Sequence, residues 1–145
     1  MVPARFTDEV LLKILVTIQQ SMIKDFMNKK NKRQTGLLYE QQAAIYLEEQ
    51  GYILLEHNYY CRLGEIDLIA RDGAYLVFVE VKYRSTPGSG TAAESVNRTK
   101  QRRIYQCAQV YMKQHGISFL HPVRFDVLAV DGTEITLIKN AFGGM

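Results

Sequence analysis

The sequence predicts an α/β domain in which strand-like and helical segments follow one another as helix, three strands, helix, two strands, behind an additional N-terminal helix. Three observations carry this. The stretch GEIDLIARDGAYLVFVEVKYR, Gly64 to Arg84, reads as strand, tight turn and strand, with Asp72-Gly73 as the turn. Within it Phe78 and Val79 leave the second strand apolar on both faces, so that strand is central and covered from both sides. Finally, the helical patterns at residues 37–50 and 93–115 each end at a glycine, Gly51 and Gly116, suited to a left-handed stop.

Residues 8–27 predict an amphipathic helix with Thr7 as its cap, Asp8 and Glu9 in the first turn, and a stripe of Leu11, Ile14, Leu15, Ile18 and Met22. The polar run NKKNKRQ then reads as a linker, making residues 1–33 an appendage to a single domain over residues 34–145. Because MNKKNKRQTG resembles a natural basic start, translation from Met27 stands beside a packed or dimerising first helix. In the second helix Leu37, Ala43, Ala44 and Leu47 lie at helical spacings from Glu40, which turns Glu40 inward, whereas Glu48 and Glu49 look like solvated helix-end acids. A strand from Tyr52 to about Tyr60 precedes the Gly64–Arg84 pair, and the Gly/Ser/Pro-rich loop STPGSGTA follows it. Val96, Ile104, Ala108, Tyr111 and Met112 then define the long helix, and VRFDVLAV and EITLI make two last strands around the turn Asp131-Gly132.

A chain of 145 residues, 47% hydrophobic and 23% charged, can build one full core, and such a composition argues against disorder throughout. Cys61 and Cys107, far apart in sequence, indicate no disulfide framework, and with His57, His115 and His121 they show no zinc spacing. No apolar run is long enough to cross a membrane, and VLLKILVTI lacks a cleavage pattern, so a cytoplasmic protein without a membrane partner is expected. The net charge of +3 is clustered at Lys29, Lys30, Lys32 and Arg33 and again at Arg98, Lys100, Arg102 and Arg103. Such clusters suggest an anionic partner, although solvated charge serving solubility accounts for either one alone.

With Asp72 and Gly73 as a two-residue loop, Asp67 lies opposite Phe78 and Glu65 opposite Glu80. Alternation then puts Asp67, Glu65, Glu80 and Lys82 on one face, with Ile66, Leu68, Val77, Val79 and Val81 on the other. A recessed carboxylate cluster is costly unless neutralised, and a divalent cation resolves it; Mg²⁺ fits, since it takes a few carboxylate oxygens, keeps waters and is shared with phosphates. Lys82 would not ligate the cation but could orient the attacking water or offset charge on a phosphate. Two acids, a lysine and a metal suit phosphodiester hydrolysis. The alternative is structural ion pairing of Glu80 and Lys82 with neighbours, and Glu65 as a surface acid.

The pattern Asp67, then Glu80-Val81-Lys82, resembles the PD-(D/E)xK nuclease superfamily, which includes archaeal Holliday-junction resolvases. The blocks G-x-x-x-E-x-x-A-x-x-x-L from Gly36 to Leu47, GEIDLIARDG, VFVEVKYR, TKQRRI and RFDV more closely resemble the YraN-like family of bacterial proteins, over residues 34–145. That resemblance implies a restriction-endonuclease-like fold: a three-layer α-β-α core with a mixed five-stranded central sheet, plus the extra N-terminal helix. It implies Asp67 and Glu80 as metal-binding carboxylates for Mg²⁺ or Mn²⁺, Lys82 as the catalytic lysine, and Glu40 as the acid on the preceding helix. Gln101 resembles the supporting polar residue on the following helix, and the bland reading is a helix-surface glutamine. Glu65 has no fixed role in the superfamily's short signature: it either assists metal binding or is turned away by a bulge. Ile66 stands where the superfamily's name has proline.

The activity implied is metal-dependent cleavage of structured or branched DNA, with Arg98, Lys100, Gln101, Arg102 and Arg103, and the STPGSG loop, against the nucleic acid backbone. Tyr59, Tyr60, Tyr83 and Arg62 could stack on unpaired bases, although strand-end tyrosines usually pack. Two cuts would need two sites and hence a homodimer. A non-catalytic nucleic-acid-binding protein that keeps the fold, and a scaffold using residues 1–27 as an interaction helix, are the competing functions.

Overall fold

Residues 8–27, 32–84, 94–131 and 134–143 are described by a computed structural model of the chain. They form α1 (Asp8–Met27), α2 (Lys32–Glu49), β1 (Ile53–Cys61), β2 (Gly64–Asp72), β3 (Tyr75–Arg84), α3 (Arg98–Gln114), β4 (Val123–Asp131) and β5 (Glu134–Phe142). The sheet runs in the order β1-β2-β3-β4-β5, with β3 and β4 parallel and the other neighbours antiparallel. The five-stranded sheet is therefore mixed, and β3 is its central strand.

The apolar residues on both sides of β3 account for the layers. Leu76 and Phe78 enter one core with Ile104, Cys107, Ala108 and Tyr111 of α3, while Val77 and Val79 enter a second with Tyr39, Ala43, Ala44 and Leu47 of α2. Phe125 and Val127 join the first core and Leu128 and Val130 the second. The result is a three-layer α-β-α arrangement, as expected. Residues 76–80 of β3 and 125–130 of β4 are withdrawn from water on both sheet faces, and this burial is the main favourable term in the fold.

Several boundaries differ from the sequence reading. Helix α2 begins at Lys32 and absorbs part of the basic run, α3 begins at Arg98 rather than near residue 93, and β5 extends past Ile138 to Phe142. Asn97 sets the start of α3: its side chain accepts the Lys100 N–H at 2.9 Å, while Gly116, at φ +64°, stops the helix. Leu37 is exposed, and Tyr39 takes the inward position, stacked on Tyr83 with ring centroids 3.8 Å apart. Thr7, Lys29, Lys30, Gly132 and the STPGSG loop lie outside the described residues.

Asp72 pairs with Tyr75, so Gly73 and Ala74 form the β2–β3 turn, one residue later than expected. Each cross-strand partner shifts by two: Ile69 faces Phe78 and Leu68 faces Val79. A shift of two preserves which face each side chain occupies. One position on β2 breaks the alternation. Ile66 and Ile69 both belong to the α3-side core, whereas Leu68 and Ala70 belong to the α2-side core, so the strand reverses its facing at Asp67. Across from this point on β1 lies Asn58 at φ +51°, between the pairs His57–Leu68 and Tyr59–Ile66. Ile66 accordingly does not share a face with Leu68 and Val79, because the left-handed residue on β1 twists the pair locally.

The far end of the sheet is closed by a polar network. Arg124 donates to both carboxylate oxygens of the fully buried Asp126, to Asp72 and to the Tyr52 hydroxyl at 2.8 Å each, and Tyr52 donates to Asp126 at 3.0 Å. Arg124 and Asp126 are two residues apart on one face of β4, so the RFDV block is a built-in ion pair. On the outer side of the second core, α1 packs on α2 through Ile23, leaving Leu11, Leu15, Ile18 and Met22 exposed. No described helix is long and apolar enough to cross a membrane.

Candidate functional site

Asp67 sits where β2 reverses its facing, and its carboxylate lies between the strands: Oδ2 accepts the backbone N–H of Val81 at 2.8 Å. Counting one step beyond the Leu68–Val79 pair sets Asp67 across from Glu80, not Phe78, because of the shifted turn. Glu80 is 5% exposed and Asp67 8% exposed, so both acids occupy a recessed position at the end of the central strands. Glu40, half-buried on the inner side of α2, faces Asp67 and the Asn58 side chain closely enough for both to act on its carboxyl. Glu80 lies likewise within the electrostatic reach of Asp67. Asp67 is thus the hub of three acids, reached by α2 from one side and β3 from the other.

Two ammonium groups flank the cluster. Lys82 Nζ lies 3.6 Å and Lys100 Nζ 3.5 Å from Glu80 Oε1. Burial, aided by the negative charge of Asp67, pushes the Glu80 carboxyl well above the ordinary carboxylate range, and Lys100 and Lys82 offset this only in part. Burial and Asp67 likewise push Glu40 up to about 7, against the lowering effect of Asn58. Glu40 Oε2 and Glu80 Oε2 are buried with no hydrogen-bond partner. Acids that hold protons above their usual range, each with an orphaned oxygen, make a site whose negative charge the two lysines offset only in part.

A divalent cation fits these donors. Among the described residues no three His, Cys, Asp or Glu side chains close to metal-ligating geometry, yet Mg²⁺ needs only one or two carboxylates and completes its shell with water and phosphate. Asp67 and Glu80 would hold it, with the orphaned Glu80 oxygen as a donor and Glu40 near by. Glu65 is exposed, pairs with Tyr60, and enters only as a more distant negative charge on Glu40.

The basic residues of α3 divide. Arg98, Arg102 and Arg103 are exposed, whereas Lys100 turns in to Glu80. Lys100, grouped with the flanking arginines in the sequence reading, has a signal that was available: Lys100, Ile104, Cys107 and Tyr111 recur at helical spacing, and the last three are buried. Gln101 is half-buried, and its Nε2 donates to the Val96 carbonyl at 2.8 Å, which ties the start of α3. Asn58 also went unnoticed; a polar residue tolerant of the left-handed region within a strand run was its only mark. Of the aromatic candidates, Tyr59 is buried and donates to Gln114 Oε1 at 2.7 Å, and Tyr83 is stacked on Tyr39, while Tyr60 and Arg62 are exposed.

Residues 39–130, which hold every acid and lysine just described, match the family model for the uncharacterised protein family UPF0102. The UPF0102 protein of Lachnoclostridium phytofermentans is 51% identical over 112 residues, covering 77% of this chain and 95% of that protein. A UPF0102 protein of Legionella pneumophila is 46% identical over 112 residues, covering 76% and 95%. One from a Janthinobacterium species is 48% identical over 110 residues, covering 76% and 88%. On these matches the chain belongs to the uncharacterised protein family UPF0102, in keeping with the YraN-like membership that its ordered sequence blocks imply.

Proposed function

We propose that this protein is a metal-dependent endonuclease of the PD-(D/E)xK type that hydrolyses phosphodiester bonds in structured or branched DNA, acting in the cytoplasm. The observation that carries this reading is the gathering of Glu40, Asp67 and Glu80 around one recessed strand end with Lys82 and Lys100 beside them. Asp67 and Glu80 would hold Mg²⁺ or Mn²⁺, which when bound lowers the pKa of a water and neutralises charge on the phosphate. Lys82 positions that water and shields negative charge building on the phosphoryl oxygens. Glu40, with a carboxyl near neutrality, accepts the water's proton. Arg98, Arg102 and Arg103, exposed along the first turns of α3, bind flanking phosphates without reading sequence. Cutting two opposed strands needs two sites, so a homodimer is the proposed acting species.

A non-catalytic DNA-binding role is the second reading. It is favoured by the two lysines that already compensate Glu80, as a structural cluster would require. The deciding experiment incubates the protein with branched, flapped, single-stranded and duplex DNA in Mg²⁺ or Mn²⁺, beside Asp67→Ala and Lys82→Ala. Cleavage by the wild type alone supports the nuclease. Salt-sensitive binding without cleavage supports the second reading, and cleavage surviving both substitutions removes the site assignment.

A further inference from the structure

The fold brings together two groups that the proposed chemistry does not use. Cys61, the last residue of β1, is half-buried, and Cys107, in the middle of α3, is fully buried; both are free thiols. They share one packed cluster on the α3 side of the sheet, Cys61 lying against the buried residues that include Cys107. Gly64, the cross-strand partner of Cys61, marks how near α3 comes: a Cβ there would lie in van der Waals contact with Cys107 Sγ at 3.7 Å and Arg103 Cβ at 3.5 Å. The two thiols also differ. Cys61 Sγ accepts the backbone N–H of Leu63 at 3.3 Å, which fixes its direction at the end of β1. Burial, and then the neighbouring Cys61, push the Cys107 thiol up to about 12. Cys61, the more exposed of the two, is therefore the thiol an oxidant reaches first, and the buried Cys107 is the resolving partner.

We propose that Cys61 and Cys107 are a reversible dithiol–disulfide site oxidised by small-molecule disulfides. The Cys61 thiolate attacks one sulfur of the oxidant, expelling one thiol and leaving a mixed disulfide. Cys107 then loses its proton to solvent and attacks the Cys61 sulfur, expelling the second thiol and closing the protein disulfide. The protein gives up two hydrogens and two electrons, which leave with the two small thiols. The bond would fasten the turn that leads into Asp67 onto the helix that carries Lys100, so the oxidised domain also resists unfolding better than the reduced one.

The test equilibrates the native full-length chain with oxidised glutathione and reads free thiols, intact mass and non-reducing electrophoresis. The expected wild-type product has no free thiol, a mass lower by two hydrogens, and monomer mobility, and dithiothreitol restores both thiols. Cys107→Ser should instead accumulate glutathione on Cys61, and Cys61→Ser should keep a free, slowly reacting Cys107. Two thiols that persist in the wild type, a stable glutathione adduct on it, or disulfide-linked dimers would each overturn the proposal. The wild-type measurement decides the matter even if a variant does not fold.

Discussion

The carboxylate of Asp67 occupies a β-ladder position: Val81 on the neighbouring strand gives its N–H to a side chain at 2.8 Å rather than to a carbonyl of β2. Asp67 therefore has a structural duty separable from its charge. Asp67→Asn keeps an oxygen for Val81 and relieves repulsion with Glu40 and Glu80, so its urea midpoint should match or exceed the wild type while cleavage is lost. Asp67→Ala orphans a partly buried N–H and should cost about 1–3 kcal/mol. Equal destabilisation by the two substitutions would contradict this division of roles.

Glu40 and Glu80 bind protons more tightly in the folded chain than in the unfolded one, where a glutamate titrates near 4.5. The folded state is thus favoured by protonation: the contribution is complete below about pH 4.5 and is lost as pH rises through about 7 for Glu40 and higher for Glu80. Urea midpoints measured in chelator should fall across this window. Glu80→Gln should flatten the profile, and added Mg²⁺ should raise the midpoint on its alkaline side. A midpoint that climbs steadily with pH in chelator would remove the carboxylate cluster as the cause.

Lys82 and Lys100 both approach Glu80, but only Lys82 is assigned to the reacting water. Lys82→Ala should lower cleavage roughly 10²–10³-fold with DNA affinity nearly unchanged. Arg102→Ala and Arg103→Ala together should instead weaken binding of every DNA substrate and reduce the steepness of its salt dependence by about two phosphate contacts. Binding isotherms over a salt series, set beside single-turnover rates, separate the two effects.

At the opposite end of the sheet, Arg124 and Asp126 should matter for stability alone. Asp126 is fully buried, and its loss would leave Arg124 without its main counter-charge, so Asp126→Ala should cost about 3–5 kcal/mol. The same network holds Asp72 below the ordinary carboxylate range through its hydrogen bond to Arg124. Chemical unfolding of the variant, with cleavage rates normalised to folded protein, checks both halves of this expectation.

What the sequence disclosed followed from short-range pattern. The turn near Asp72, the two-faced apolarity of Phe78 and Val79, and the helical spacing around Glu40 are all local, and they suffice to gather Asp67, Glu80, Lys82 and Glu40. The expected turn was misplaced by one residue because Asp72-Gly73 is a strong turn signal, while Asp72 is drawn into the strand pair beside Tyr75 and bonded by Arg124. From Leu68 onward the faces survived, because the resulting offset was even. The reversal at Asp67 was not legible, since it depends on Asn58 across the sheet. Nor was the meeting of Cys61 with Cys107, which depends on how α3 packs against the β1–β2 turn.

That reversal makes β2 answer to different neighbours on either side of Asp67. Ile66 shares its core with Ile104 and Cys107 of α3, whereas Leu68 shares its own with Ala43 and Leu47 of α2. A lost methylene at Ile66 can thus be refilled from α3 and the sheet residues on its side, and one at Leu68 from α2 and the opposite sheet face. Second-site suppressors of mutations two residues apart on one strand should arise in opposite layers of the protein.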